Sequence, residues 1–302
     1  MRASLFTCLL LAPSVFAGDL HQASRATLLE DARFTREAVL DRIQQLRFSF
    51  REGEPEDGQQ PYWARTYASH GSADGPGAAP SRERTVSGIA LGSERWVGDW
   101  VLGATAGLSR TELEAGSDDA RLDGYQLGAY LGTKFYNQIG FKTGLLLDSH
   151  RVDGHASAAD ARGGQLFGEL SYSLDYRDFS LEGFSELAWL RQDNERQADV
   201  ASQRDELLQA TFGLRGTTAW TLGPDQRLVA RVIPAWRRNS GDRRLGDEDG
   251  AGEAQLARDV IHLGLMLDWQ LDQALSLGLA YEGDWATESR DNGLALRMSL
   301  KY

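Results

Sequence analysis

Two short stretches place a serine two residues after a histidine, His70-Gly71-Ser72 and His155-Ala156-Ser157. Ester or amide hydrolysis by a serine nucleophile needs a base within hydrogen-bond reach and a third group that fixes that base. Both stretches fall in or beside predicted loops, with no Asn or Asp on a neighbouring strand to orient the ring, so neither is expected to be catalytic. The acidic run "GDRRLGDEDGAGE" lacks the ligand spacing of a calcium loop and reads as a solvated connection. The 5 histidines are scattered without the paired spacing of zinc ligands, and His150 and His262 read as hydrogen-bonding groups. No enzyme activity, cofactor site or metal site is expected.

A different set of charged residues recurs inside strongly periodic segments. Ile261, Leu263, Leu265, Leu267 and Trp269 alternate with His262, Gly264, Met266 and Asp268. Leu275, Leu277, Leu279 and Tyr281 alternate in the same way with Ser276, Gly278, Ala280 and Glu282. Such a period of two is a strand signal. One face is apolar; the other is small or charged and carries Lys142, Glu169, Glu186, Arg215, Arg231 and Arg237. A face so rich in glycine suits an interior wall better than an open surface. Glu169, Glu186, Arg215, Arg231 and Arg237 are therefore expected to form a structural network in a lumen.

About twelve such segments lie between residues 61 and 302, near 61–70, 84–94, 99–110, 122–135, 139–152, 165–176, 178–191, 206–220, 226–238, 256–270, 274–285 and 291–302. Short turns such as "RWVGD" and "DYRD" alternate with long polar stretches such as "GSADGPGAAPSRE", "ELEAGSDDA", "DGHASAADARGG", "QDNERQADVASQRD" and "NSGDRRLGDEDGAGEA". An even strand count with this asymmetry predicts an all-β membrane protein, an antiparallel up-and-down transmembrane barrel. The mean hydropathy of -0.41 fits, because only alternate residues face lipid. Trp100, Tyr136, Tyr176, Trp220, Trp269 and Trp285 lie near strand ends, where aromatic rings suit the membrane interface.

Ahead of the strands, "SRATLLEDARFTREAVLDRIQQLR" has helical spacing, with Leu29, Ala32, Val39, Leu40, Ile43 and Leu46 as apolar members and a capping box at Thr27-Leu28-Leu29-Glu30. The helix is expected over about 27–47, within an N-terminal segment and linker of 18–60. Charges surround it, so it cannot face lipid. It could fill a watery lumen or lie as a surface helix or periplasmic arm; both readings stay open. Residues 1–17 read as a signal peptide: Arg2, the apolar run Leu5–Leu11, then Val15-Phe16-Ala17 with cleavage between Ala17 and Gly18. The one cysteine, Cys8, lies inside it. The net charge of -12 argues against nucleic acid as a partner, since such binding needs basic patches.

"YWARTYASHGSADG", "SGIALGSERWVGDWVLGATAGLSRTELE", "LDGYQLGAYLG", "GGQLFGELSYSLDYRDFSLEGFSELAWL" and the terminal "LALRMSLKY" resemble, in this order, the opening strand, the next hairpin, the fourth strand, the sixth and seventh strands and the closing strand of the C-terminal translocator domain of autotransporters, the type V secretion barrel. The resemblance covers roughly residues 60 to 302. It implies a twelve-stranded barrel in the Gram-negative outer membrane with the segment from about Thr27 to Arg47 threaded through the pore. Two departures are expected to matter: no passenger of domain size separates signal peptide and helix, and Arg33–Leu46 has no asparagine for the self-cleavage of some members. The function expected is a translocator or pore-like module whose passenger is lost, separate or absent, with a small porin or a phospholipase-like barrel enzyme as the alternative. The expected state is a monomer in outer-membrane lipid. On the closing strand Leu294, Leu296, Met298, Leu300 and Tyr302 are expected to face lipid, with the terminal aromatic read by the barrel-assembly machinery.

Overall fold

The alternation becomes a closed sheet in the computed structural model, which describes residues 13–49, 61–77, 79–136, 138–154, 158–177, 179–194, 203–246 and 253–300. The strands are β1 (Tyr62–Ala73), β2 (Arg82–Val97), β3 (Trp100–Ala115), β4 (Asp118–Phe135), β5 (Ile139–Gly154), β6 (Ala158–Asp175), β7 (Phe179–Asn194), β8 (Gln203–Thr221), β9 (Arg227–Gly241), β10 (Arg244–Gly246), β11 (Glu253–Gln255), β12 (Asp259–Gln270), β13 (Leu275–Trp285) and β14 (Ser289–Leu300). All but β10 and β11 join in one antiparallel barrel in sequence order, closed by β1 on β14 from Tyr62↔Leu300 to Ala73↔Ser289. Closure leaves no unpaired edge, the condition for crossing a bilayer with strands. No described helix is long and apolar enough to cross a membrane.

The barrel is inside out relative to a water-soluble one. On β14, Leu294, Leu296 and Met298 are 59%, 61% and 48% exposed, whereas Ala295, Arg297 and Ser299 are buried. Leu300 is half-buried, and Tyr302 lies outside the described residues. Outward leucines continue around the wall at Leu102, Leu127, Leu147, Leu170, Leu187, Leu214, Leu265 and Leu279. So large an apolar surface is lipid-facing. Exposed aromatics bound it below at Tyr62, Trp100, Phe135, Tyr172, Trp220 and Trp269, and above at Tyr125, Trp189, Trp236 and Trp285. Tyr125 and Phe135 share β4; ten residues at about 3.3 Å each, on a strand tilted roughly 40°, give about 25 Å of height, the apolar band of such barrels.

Three features differ from the sequence-based expectation. Much of what reads as long loop is strand: β3 and β4 run to a turn at Gly116-Ser117, where Gly116 takes φ 64°, and "QDNERQADVASQRD" gives residues to both β7 and β8. Above the lipid both strand faces are polar, so hydropathy no longer alternates although the backbone does. The connection after β9 contains the β10–β11 hairpin, with Leu245, Ala254 and Leu256 buried in a cluster that includes Ala26 and Leu29. The helix is also longer: α1 (Pro13–Asp31) and α2 (Arg33–Ser49) follow each other across Ala32. Thr27 is thus inside a helix and not at a cap; its Oγ1 accepts a hydrogen bond from Arg82 at 3.3 Å. His155, Ser157 and nearly all of the "REGEPEDGQQP" linker lie outside the described residues.

Leu265 sits midway between Ile261 and Trp269 on the outer face of β12. Leu265→Arg is expected to destabilise the folded barrel by about 2–4 kcal/mol, and arginine at Ser240, above the band, by about 0–1 kcal/mol. Urea titration scored by the gel shift between unheated and boiled samples checks both; equal costs would exclude the assigned lipid face.

Candidate functional site

Twelve strands enclose more space than side chains fill, yet less than an open porin, and a helix about 10–12 Å across fits the gap. From Leu20 to Leu46 the two helices lie inside the wall. Ala26, Leu28, Leu29, Phe34, Ala38, Val39, Leu40, Ile43 and Leu46 are buried, although the same helix carries charges nearly all round. Its apolar residues meet aromatic and small residues of the wall. Phe34 stacks on Tyr67 with centroids 4.8 Å apart, and Ile43 packs over Gly132, where a Cβ would come within 2.7 Å of it.

The charges are matched one by one. At the mouth with the short connections, Arg42 Nε donates to Glu94 Oε1 at 2.8 Å. Trp63 Nε1 donates to Tyr130 Oη, and Tyr130 Oη to Glu94 Oε2, both at 2.8 Å. One carboxylate on β2 thereby ties α2 to β1 and β4. Higher up, Asp41 pairs with Arg65 at 2.8 Å, and Arg65 reaches Glu282. Lys142 Nζ donates to Gln44 Oε1 at 2.7 Å.

Midway, Arg36 pairs with Glu186 at 2.8 Å and donates to Gln165 and Gln209 at 2.9 and 2.6 Å. Gln165 Nε2 donates to the carbonyl of Ala32 at 2.7 Å, at the junction of α1 and α2. Above it Asp31 binds Arg84 and accepts from Thr111 at 2.7 Å. Arg33 pairs with Asp284 and, at 3.0 Å, with Asp291. Arg82 pairs with Glu30 at 2.7 Å, and Arg25 Nε donates to Asp205 at 2.8 Å at the far mouth.

The five wall residues singled out by sequence divide. Glu186 reaches the helix through Arg36, and Arg237 lies 3.9 Å from Glu37 and 3.0 Å from Asp284. Glu169 and Arg215 pair with each other. Arg215 also pairs with Glu182 at 2.8 Å and lies 3.7 Å over the Phe184 ring, while Lys142 pairs with Glu169 at 2.7 Å. That cluster braces the wall. Arg231 is buried, with Nη1 3.6 Å from Met266 Sδ. Sequence reasoning did not single out Glu94, Arg65, Arg84, Asp205, Asp284 or Asp291, which hold the helix more directly. Their signal is inward strand parity, except that Asp205 lies in a stretch whose composition reads as loop.

Space remains beside the helix, mostly along the β9, β12 and β13 wall. A mid-lumen cavity of about 60 Å³ touches Glu37, Asp41, Arg237, His262 and Glu282, enough for a few waters. His262 Nδ1 is 2.7 Å from Asp284. The His70 ring contacts Thr85 at 3.1 Å, and Ser72 accepts from Arg290 at 3.5 Å, so that pair is not joined as base and nucleophile. Among the described residues no group of three or more His, Cys, Asp or Glu side chains could hold a metal.

Removing one partner of a buried ion pair strands the other, at a cost of about 3–5 kcal/mol. Glu94→Ala is therefore expected to loosen the short-connection end of α2 and expose Arg42 to trypsin at least tenfold faster, an effect of about 1.4 kcal/mol or more. Quantified proteolysis of the folded barrel measures it.

Known proteins resemble this chain in sequence or in fold. An extracellular serine protease of Serratia marcescens is 24% identical over 317 residues, a match that takes in 95% of this chain and 30% of that protein. A second protein of the same name and organism is 23% identical, with the same coverage. The chain thus spans about a third of the length of these relatives. Two solved structures share the fold: the beta domain of the Bordetella autotransporter BrkA (TM-score 0.65, 16% identity, 80% of this chain and 99% of that one) and the translocator domain of NalP from Neisseria meningitidis (TM-score 0.65, 14% identity, 92% and 97%). The autotransporter beta-domain family matches residues 62–282. Closed wall, threaded helix and sequence agree: the chain belongs to the autotransporter beta-domain family of bacterial outer-membrane barrels.

Proposed function

We propose that this barrel is a translocator-type module whose own N-terminal helix closes the pore once polypeptide export is over, and that it performs no covalent chemistry. The observation that carries this is the threading of α1 and α2. Arg42 and Ile43 lie at the mouth where all five strand connections have two to five residues, while Arg25 lies at the mouth of the tall strands, whose connections include 74–81, 195–202 and the one that holds β10–β11. Short turns belong on the periplasmic side of such barrels. The chain would then enter β1 from the periplasmic side, and whatever precedes α1 would lie outside the cell. Cleavage between Ala17 and Gly18 would leave an N-terminus at that outer mouth. The names of the Serratia relatives belong to much longer proteins, of which this chain covers 30%, and assign no protease activity to this segment.

The lumen supports a plug held in one register. Charged groups at successive heights pair with different strands, so sliding the helix by a turn would separate Arg42 from Glu94, Arg36 from Glu186 and Asp31 from Arg84 together. Glu169, Arg215 and Arg231 would keep the wall in shape, and Glu186 and Arg237 would hold the helix.

In planar bilayers the intact chain should show low, flickering conductance that rises several-fold when residues 24–47 are deleted; equal and steady conductance in both forms would favour a porin. Appending four polar residues after Tyr302 is expected to lower the yield of heat-shiftable barrel in cells more than the same insertion between β10 and β11. Equal yields would remove the assembly role from the terminal aromatic.

A further inference from the structure

The strand extensions above the lipid band carry a feature that the translocator reading does not use. On β3–β8 the outward face continues past the upper aromatics with six arginines: Arg110, Arg121, Arg151, Arg162, Arg191 and Arg204. No lysine takes part. Arg110 follows exposed Leu108 by two residues on the same face, and Arg191 follows Trp189 in the same way, which puts them about 7 Å along the strand beyond the apolar surface.

Each arginine faces a carboxylate across the ladder. Arg110 is opposite Asp123, and Glu112 opposite Arg121; Asp123 and Arg121 are in turn opposite Arg151 and Asp153. Arg151 faces Asp160, Arg162 faces Asp193, and β8 adds Glu206 opposite Arg191 and Arg204 opposite Asp193. The result is a checkerboard of both signs over six strands. Its pairs include Arg110–Asp123 at 2.7 Å and Arg204–Asp193 at 2.6 Å. Arg110, Arg121, Arg151, Arg191 and Arg204 stay between 37% and 66% exposed, so their guanidinium groups are open to a second partner.

Holding the strands together does not require this lattice. Exposed ion pairs contribute about 0–1 kcal/mol each, and the backbone ladder already fixes the register. On the opposite arc the same ladder is maintained with fewer charges: Arg238 faces Asp259, Arg290 faces the uncharged Ser72 and Trp285, and His70, Thr85, Asn292 and Ile261 occupy the outer face beside them. The lattice begins where lipid headgroups begin. Arginine forks match phosphate oxygens two at a time, and carboxylates are ligands for hard divalent cations. A simple anionic phospholipid would satisfy the arginines and be repelled by the carboxylates. A layer of phosphates bridged by divalent cations satisfies both.

We infer that the outward face of β3–β8 is a docking surface for a phosphorylated glycolipid of the outer leaflet, its phosphates on the arginines and its bridging divalent cations on the carboxylates. The inference rests on the reading of the apolar band as membrane-embedded.

The test uses the full chain folded in detergent with Mg²⁺ and a diphosphorylated glycolipid, the same lipid stripped of phosphate, or phosphatidylglycerol. Retained lipid is counted by native mass spectrometry. Wild type should retain the diphosphorylated lipid at least about tenfold over the other two, and chelating Mg²⁺ should remove most of that excess. The R151Q/R162Q/R191Q/R204Q variant should lose roughly tenfold, the effect of removing several charge-assisted contacts. Arg290→Gln on the opposite arc should retain lipid as wild type does. If the quadruple variant lacks the gel shift on heating, D123N/D193N serves instead and should lose the Mg²⁺ dependence alone. Equal retention by a folded variant, equal retention of phosphatidylglycerol, or indifference to chelation would overturn the inference. A wild-type chain with no heat shift would instead overturn the membrane reading beneath it.

Discussion

Everything in this molecule follows from the need of each backbone N–H and C=O in lipid to find a partner within the protein. Strands meet that need only in a ring, so the first and last strands must become neighbours, and β1 pairs with β14 along its whole length. The ring then sets the rest. Its outer face answers to hydrocarbon and its inner face to whatever fills a hole too wide for side chains. In a few places the wall gives way to its own aromatics: a Cβ at Gly213 would stand 2.5 Å from the Phe184 ring, so glycine there lets the ring lie flat against the sheet.

The filler is polar because the lumen is. An apolar helix would have taken the helix partners from Arg65, Arg84, Glu94 and Asp291, leaving only their wall contacts to Glu282, Tyr130, Ser69 and, for Arg84 and Asp291, each other, and buried charges so under-compensated are costly. Matching them with Asp41, Asp31, Arg42 and Arg33 adds little net stability over a well-packed apolar interior, but it fixes where the helix stops. Register is the gain. The break at Ala32, met by the Gln165 amide, lies between two sets of such pairs and marks the height at which the helix is held from the β6 side.

The barrel was legible in the sequence because lipid enforces alternation: the spacing of Leu265, Leu267 and Trp269 admits one face and one period. Legibility failed where lipid stops. Arg110 to Ala115 and Gln203 to Asp205 are as regular in backbone as Leu127, yet water on one side and a charged lumen on the other erase the contrast that hydropathy detects. The wall charges were partly legible for the same reason. Inward parity identified Glu186 and Arg237, but parity cannot say which inward charge meets the helix, since that depends on height and on the helix phase. Glu169 and Arg215, equally inward, pair with each other instead.

The wall is not of even height. β2 to β9 run from 15 to 19 residues, whereas β12, β13, β14 and β1 run from 11 to 12, and the junction of first and last strands lies within the low arc. A ring parts most readily where the fewest cross-links must be undone, so the wall is weakest across the low arc, which also holds the contacts between its first and last strands. Those contacts are also the most distant in sequence, and the entropy of closing so long a loop makes them the last to form. The low side is thus both the final join in building the cylinder and its natural line of rupture, while the tall side stands as a rigid stave.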